Sequence, residues 1–454
     1  MRKNFTIVCL LVLALVVGGL SALAQAAETG THVHKTQAAS DKSWGETFKD
    51  IWTRDKLTGD WGGLRTDLAD HGFYPSVRLS QFYQNVASGG RDQKGRYGGL
   101  VDWRANVDAE KLFGLWKGLG LSLHAQTRFG KDVLAEGGPF TLPNAALLYP
   151  LPGDFAGTNI TGITVAQTVP VPLIDGNLTA LFGKLHAFDL VDGFFPQVGS
   201  GQEGFMNVNS LVTALPWFRW VTLSMWGGGA WTTNKEGQVT GGVLALGQAN
   251  VSDTWHGWND SFGDGVGLFG FYRYFYKLSD KPGYLLGAAG TSTKKFGSTD
   301  STDITFLPGA GLSDDKTKHP WDFAAYLYQV FWQADGDAKR YANVFIGGTI
   351  ADDNPSFSNA NLFMNIEAHG LFAARPHDRM GIAGYWNRLA SNYVDKVDRL
   401  PILNVRQHLY GFEAYYNIAI NPWLHLSPDI QLARVANKKD DLAVIPGVRL
   451  VMDF

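Results

Sequence analysis

The chain of 454 residues carries 39 basic and 42 acidic side chains and a formal net charge of −3, a balance that argues against nucleic acid as a partner. Its single cysteine, Cys9, lies inside the N-terminal apolar run, so the rest of the chain holds neither a disulfide framework nor a paired-cysteine metal motif. Aromatics make up 13% and glycines number 54, and no later run approaches the roughly 18 apolar residues of a membrane helix, which points to strands and turns.

Arg2 and Lys3 precede the apolar stretch Ile7 to Leu20, and Ala22, Ala24 and Ala26 offer small-residue cleavage sites. Residues 1–26 therefore read as a secretory signal peptide. They are too short and lack the flank for a membrane anchor, and Cys9 sits too early for lipid attachment. Residues 27–56 form a polar extension containing His32 and His34 and an amphipathic patch around Trp44, Phe48 and Ile51. A His-x-His pair in a mobile terminus is more often inert than metal-bound, and no metal is assigned to it. From Asp60 the pattern changes to a short helix over 60–71, with Asp60 as N-cap, Leu64 and Leu68 on one face and Gly72 as its stop.

Alternation begins next and continues to the end of the chain. Between Leu100 and Glu110, Val101, Trp103, Ala105, Val107 and Ala109 oppose Asp102, Arg104, Asn106, Asp108 and Glu110. Leu119 to Phe129 repeats this, with His124, Gln126 and Arg128 on the polar face, and the short link through Trp116 to Gly118 makes the two a hairpin. Phe412, Ala414, Tyr416, Ile418 and Ile420 face away from Glu413, Tyr415 and Asn417. After Asn421 and Pro422, Leu424, Leu426, Ile430 and Leu432 oppose His425, Ser427, Asp429 and Gln431. Finally Val448, Leu450, Met452 and Phe454 oppose Arg449, Val451 and Asp453.

Strands of a water-soluble sandwich average about five or six residues, whereas these reach the roughly 9 to 11 of tilted membrane strands. Trp103, Phe129, Tyr410, Trp423 and Phe454, near strand ends, fit interfacial girdles. Segments such as Lys131 to Gly176, Asn234 to Gly263 and Gly290 to His319 read as long loops between short turns. Lipid tolerates no open sheet edge, so the sheet closes. The fold class is all-β: a transmembrane antiparallel β-barrel over about 73–454, with a short N-terminal helical segment at its mouth. At roughly 24 residues per strand and connection it holds about 16 strands, with 14 or 18 also fitting. The helix either narrows the pore or tidies the chain entry.

Leu57, Gly59, Asp60, Trp61, Gly62, Gly63, Arg65, Leu68 and Gly72 resemble the N-terminal signature of the carbohydrate-selective porins, the OprB family. Phe182, Gly183, Lys184 and Leu185, followed by Phe194, Phe205 and Asn207, are similar to its middle block. Glu413, Tyr416, Pro428, Asp429, Gln431, Gly447, Arg449 and Phe454 are similar to its final block. The resemblance spans 57–454 and implies a bacterial outer-membrane porin passing sugars by passive diffusion, with ions as companions. The tryptophan-rich stretch Trp217 to Trp258 matches least.

A lumen wall bearing both signs of charge suits polyols, whose hydroxyls donate to carboxylates and accept from guanidinium groups. Strand phase puts Arg78, Asp102, Arg104, Asp108, Glu110, His124, Arg128, Glu413 and Arg449 on that wall, as sugar contacts or as cross-strand pairs that stiffen it. Trp220 and Trp226, in phase with Thr222 and Ser224, are either stacking platforms for sugar C–H faces or girdle residues. Gly265, Gly267 and Gly270 spell G-x-G-x-x-G inside a strand pattern with no following helix, and Asp352, Asp353 and Asn354 read as a loop more than as a calcium site. No hydrolase or metal motif stands out, so neither enzyme activity nor a cofactor is expected. The expected partners are sugars, outer-membrane lipid and, through the strand ending at Phe454, the barrel-assembly machinery. Association between barrels is left open. The competing reading is a channel for hydrophobic or aromatic-acid solutes with the N-terminal extension as a hatch.

Overall fold

Twenty strands are present among the described residues, and sixteen of them close a barrel. The first nine are β1 (Phe73–Asn85), β2 (Gly95–Asp108), β3 (Leu119–Gly130), β4 (Gly157–Val171), β5 (Gly176–His186), β6 (Ser224–Thr233), β7 (Val239–Gly247), β8 (Val266–Leu278) and β9 (Lys281–Ser292). Four short strands follow in the next connection: β10 (Phe296–Gly297) pairs with β13 (Thr317–Lys318), and β11 (Ile304–Leu307) with β12 (Gly311–Asp314). The wall resumes with β14 (Trp321–Ala334), β15 (Asp337–Ala351), β16 (Ser358–His369), β17 (Arg379–Leu389), β18 (His408–Asn421), β19 (Leu424–Ala433) and β20 (Ala443–Asp453). This computed structural model describes residues 50–148, 157–248, 261–300, 304–307, 311–314, 317–399 and 404–454. The expected signal peptide, His32, His34, Trp44 and Phe48 lie outside them.

Every wall neighbour is antiparallel, and β1 meets β20 with Arg78 opposite Asp453 and Tyr83 opposite Val448, so no edge is left open. The strands alternate as the sequence predicts. Phe182, Val243, Leu268, Leu285, Phe323, Ile350, Leu362, Ile382, Phe412 and Val448 are exposed on the outer face. An apolar band of that extent in water would be an aggregation surface, but against acyl chains it is the stable arrangement. The inner partners Glu413, Asp429, Gln431 and Arg449 are buried.

Short turns gather at one end of the barrel. Ser279 and Asp280 join β8 to β9 with φ of 50° and 62°, the left-handed pair that a two-residue hairpin needs. The expected helix before β1 is shorter than predicted: a 3-10 turn, Trp61–Gly63, leads into an α-helix, Leu64–Asp70. Asp60 accepts from the Thr66 amide at 2.9 Å, and Gly72 ends the element at φ 87°. The segment sits at the short-turn end. The Leu57 amide donates to Asp453 O at 2.8 Å, and Arg65 Nη1 donates to the Phe454 carbonyl oxygen at 3.1 Å.

Of the stretches expected to be loop, one holds the short strands β10 to β13 and two contain strands of the wall. Lys131 to Gly176 contains β4, and Asn234 to Gly263 contains β7. Threonine and glycine in both reduce the hydrophobic contrast between faces, although their cross-strand partners complete the ladder.

Candidate functional site

Residues 187–223, between β5 and β6, fold into the barrel and form a belt that the lumen wall grips around most of its circumference. The belt opens as a helix, Ala187–Phe194, whose apolar face packs on the inner aromatics Phe269 and Phe271. Two further short helices, Val208–Leu211 and Ala214–Trp217, carry it back toward β6. A strap of this kind exposes backbone polar groups inside a protein, where each needs a partner.

Those partners are the charged lumen residues. Arg449 Nη1 donates to the carbonyls of Gly201 at 2.7 Å and Gly204 at 2.8 Å. Glu413 accepts from the amides of Met206 and Asn207. Arg379, paired with Glu367 at 2.8 Å, donates to the Gln197 carbonyl, and Arg273 donates to that of Phe194. Asn365 reaches Ser210 O at 3.0 Å, and Thr349 reaches Thr213 at 2.7 Å. Glu413 and Arg449 do point inward, but at 0% exposure both are spent on holding the belt and present nothing to a passing solute.

A second cluster leaves polar atoms facing free space. Arg104 Nη2 lies 2.8 Å from Asp189 Oδ1, and His124 Nδ1 lies 2.8 Å from Asp189 Oδ2. The other His124 nitrogen is 2.8 Å from Asp102 Oδ1, which also accepts from Gln126, while Asp102 Oδ2 accepts from Gln202 of the belt. Arg78 bridges Asp453 and belt residue Glu203, each at 2.7 Å. Of these residues, Arg104, His124 and Asp189 border a cavity of about 370 Å³ that also takes in Lys184, His186 and Trp231. Across it, β6 to β9 and the belt enclose an apolar cavity of about 160 Å³ lined by Phe188, Phe194, Trp217, Phe269 and Phe271.

Electrostatics on the belt follow from burial and from these cations. Burial alone would raise Glu203, but the charges of Arg78 and Arg379 hold its carboxyl down to about 2. Burial likewise opposes ionisation of Asp189, yet contact with His124 and His186 keeps it well below the usual carboxylate range. Asp192 goes the other way: burial pushes it up to about 6, with Asp189 and Glu203 adding to the rise and Ser200 and Arg104 opposing it.

The structure brings Arg78, Asp102, Arg104 and His124 together and separates the other candidates. Glu110 leaves the wall, because Asp108 caps a turn of helix, Ala109–Phe113, accepting from the amides of Glu110 and Lys111 at 3.1 and 3.2 Å. Arg128 points inward but is buried beside Asp132 at 3.1 Å. Trp220 is not on a strand face: it is a buried belt residue whose indole N–H donates to Asp322. Trp226 shares the phase of Gly228, which pairs with outward-facing Phe182, so it stands on the outer side of the wall and not in the lumen. Asp352, Asp353 and Asn354 form a loop clamp, with Asp352 accepting from the Trp321 and Ser356 amides.

Sequence reasoning missed Asp189, Glu203, Lys184, His186 and Trp231. Trp231 follows from register alone, since Met225, Gly227, Gly229 and Trp231 share the inward phase. The belt residues carried no readable signal, because their partners lie scattered around the barrel.

A family profile described as carbohydrate-selective porin, OprB family, matches residues 92–454. Porin B of Pseudomonas aeruginosa is 24% identical over 435 residues, covering 88% of this chain and 91% of that protein. A structure of Pseudomonas putida OprB at high pH superposes with a TM-score of 0.71 at 18% identity, covering 89% of this chain and all of the other. A low-pH structure of the same protein gives 0.54.

Proposed function

The chain belongs to the carbohydrate-selective porin family, OprB, and from that premise we propose that sugars cross the polar chamber between the belt and strands β2 to β7. The protein is an outer-membrane porin that passes carbohydrates by diffusion. Arg104 supplies donors, Asp189 supplies acceptors, and Trp231 supplies an aromatic face, all around one cavity of about 370 Å³. Such a volume lies within the roughly 300–1,000 Å³ of small-molecule sites.

The juxtaposition of Arg104 and Asp189 at 2.8 Å carries this reading. A hydroxyl entering the chamber can replace part of its water shell by accepting from the guanidinium and donating to the carboxylate, whereas an ion of either sign meets one repulsive group. Each contact must stay weak enough to release, which a partly hydrated, paired charge provides. The belt contributes by narrowing the lumen so that solutes pass within reach of both groups.

The strand ending at Phe454 is proposed as the element offered to the barrel-assembly machinery. For the chamber, single-channel recordings of R104Q and D189N test the assignment. Reduced block of current by mono- and disaccharides in both variants is expected. Unchanged block in both variants overturns it.

A further inference from the structure

We propose that His124, His186 and Asp189 form a binding site for a first-row divalent metal of zinc type in the wall of the lumen. His124 comes from the middle of β3, His186 ends β5, and Asp189 lies in the first turn of the Ala187–Phe194 helix. One ligand atom from each lies within 4.8 Å of the others. His124 Nδ1 and Asp189 Oδ2 are 2.8 Å apart, and His186 Nδ1 is 3.7 Å from Asp189 Oδ1. The two imidazoles meet edge to face with centroids 5.2 Å apart. An ion about 2.0–2.2 Å from each ligand atom needs them about 3.3–3.5 Å apart, so a small closure of the His186 ring and a slight parting of His124 from Asp189 complete the set.

Two observations point to a ligand beyond mere proximity. His186 is only 5% exposed, and its Nδ1 is a buried polar atom with no hydrogen bond. Leaving such an atom unpartnered is unfavourable, and coordination satisfies it. The second observation is the arrangement around His124. Both of its nitrogens lie 2.8 Å from carboxylate oxygens, and since a neutral imidazole carries one N–H and can serve only one of them, both are satisfied either by a doubly protonated ring or by a cation at one nitrogen. A metal at Nδ1 resolves this, since Nε2–H then donates to Asp102 while Asp189 becomes a ligand. A carboxylate behind a ligating histidine is how metal sites fix ring orientation and raise ligand basicity.

Asp102 is itself held by Gln126 and Gln202, so that support is rigid. Two imidazoles and one carboxylate favour zinc and its neighbours over calcium or magnesium, which prefer all-oxygen shells. Arg104 on Asp189 Oδ1 leaves Oδ2 facing His124. Because His124, His186 and Asp189 all line the 370 Å³ cavity, an ion reaches the site from the lumen, and a fourth position stays open to water or a sugar hydroxyl. Occupancy would place a divalent charge beside the sugar route and reduce its conductance.

The test uses the full chain, purified in detergent and placed in planar bilayers, with Zn²⁺ as the probe and Mg²⁺ as control. A saturable fall in current reversed by EDTA is expected, with the half-effect concentration at least tenfold higher in H186A. Visible absorption of added Co²⁺ gives a second measurement on the unaltered protein, where bands of low-symmetry coordination displaced by Zn²⁺ are expected. Zn²⁺ block of equal potency in H186A, or Co²⁺ spectra of the aqueous ion only, overturns the proposal. Sugar block recorded in EDTA is a separate readout, so failure of the metal site and failure of the sugar chamber are distinguishable.

Discussion

The Arg449 guanidinium, on the strand that closes the barrel, donates to the Gly201 carbonyl oxygen at 2.7 Å, so one side chain ties closure of the wall to the position of the belt across the lumen. It reaches Gly204 and Ser427 as well. Removing it leaves two buried carbonyls without their donor. R449A is expected to lower stability by about 2–4 kcal/mol and to raise open-channel conductance and current noise as the belt loosens. Thermal unfolding in detergent and single-channel traces measure both. A stable variant with unchanged conductance means that the belt is held elsewhere.

Glu413 serves the same belt from β18 through the Met206 and Asn207 amides. E413Q keeps an acceptor oxygen of similar reach, whereas E413A removes both. The alanine variant is expected to resemble R449A, and the glutamine variant to stay closer to the unaltered channel. Conductance histograms for the pair measure the difference.

Asp192 and Glu203 lie on the belt and titrate far apart. Asp192 is pushed up to about 6, so it is neutral below that pH and charged above it. Glu203 is held at about 2 and keeps its charge throughout the working range. Preference for cations should therefore rise as pH passes from 5 to 7, and D192N should flatten that step. E203Q should reduce cation preference at all of these pH values while keeping the step. Reversal potentials in a salt gradient measure each, and a step that persists in D192N assigns it to another group.

Trp231 is the inward aromatic that borders the polar chamber. W231A is expected to weaken sugar block roughly three- to tenfold, as losing a stacking contact of about 1 kcal/mol would, while W226A, altered on the outer face, should leave it alone. Concentration-dependent current block with a disaccharide compares them.

What the sequence made legible was the wall. The shared outer face of Phe412, Ala414, Ile430 and Leu432, which the structure pairs across β18 and β19, and the inward phase of Arg449 follow from alternation, since each strand meets two media. Alternation misleads where it runs past a strand end. Glu110 keeps the phase of Asp108, but Asp108 already caps a helix that Gly114 ends at φ 66°. Trp220 fails for a similar reason: its stretch alternates in sequence, yet it belongs to the belt. The belt itself was unreadable because its stability comes from residues as distant as Arg78 and Arg449, whose charges look like open lumen lining until the strap they grip is in place. Two adjacent histidines and an aspartate from three elements are likewise invisible without the fold.

The proposed route takes solutes through a narrow, charged chamber that favours neutral polyols. Liposome swelling with a monosaccharide, a disaccharide and an aromatic acid of similar mass tests it directly. Faster uptake of both sugars is predicted. Faster uptake of the aromatic acid would contradict the account and shift attention to the apolar cavity beside Phe194 and Phe271.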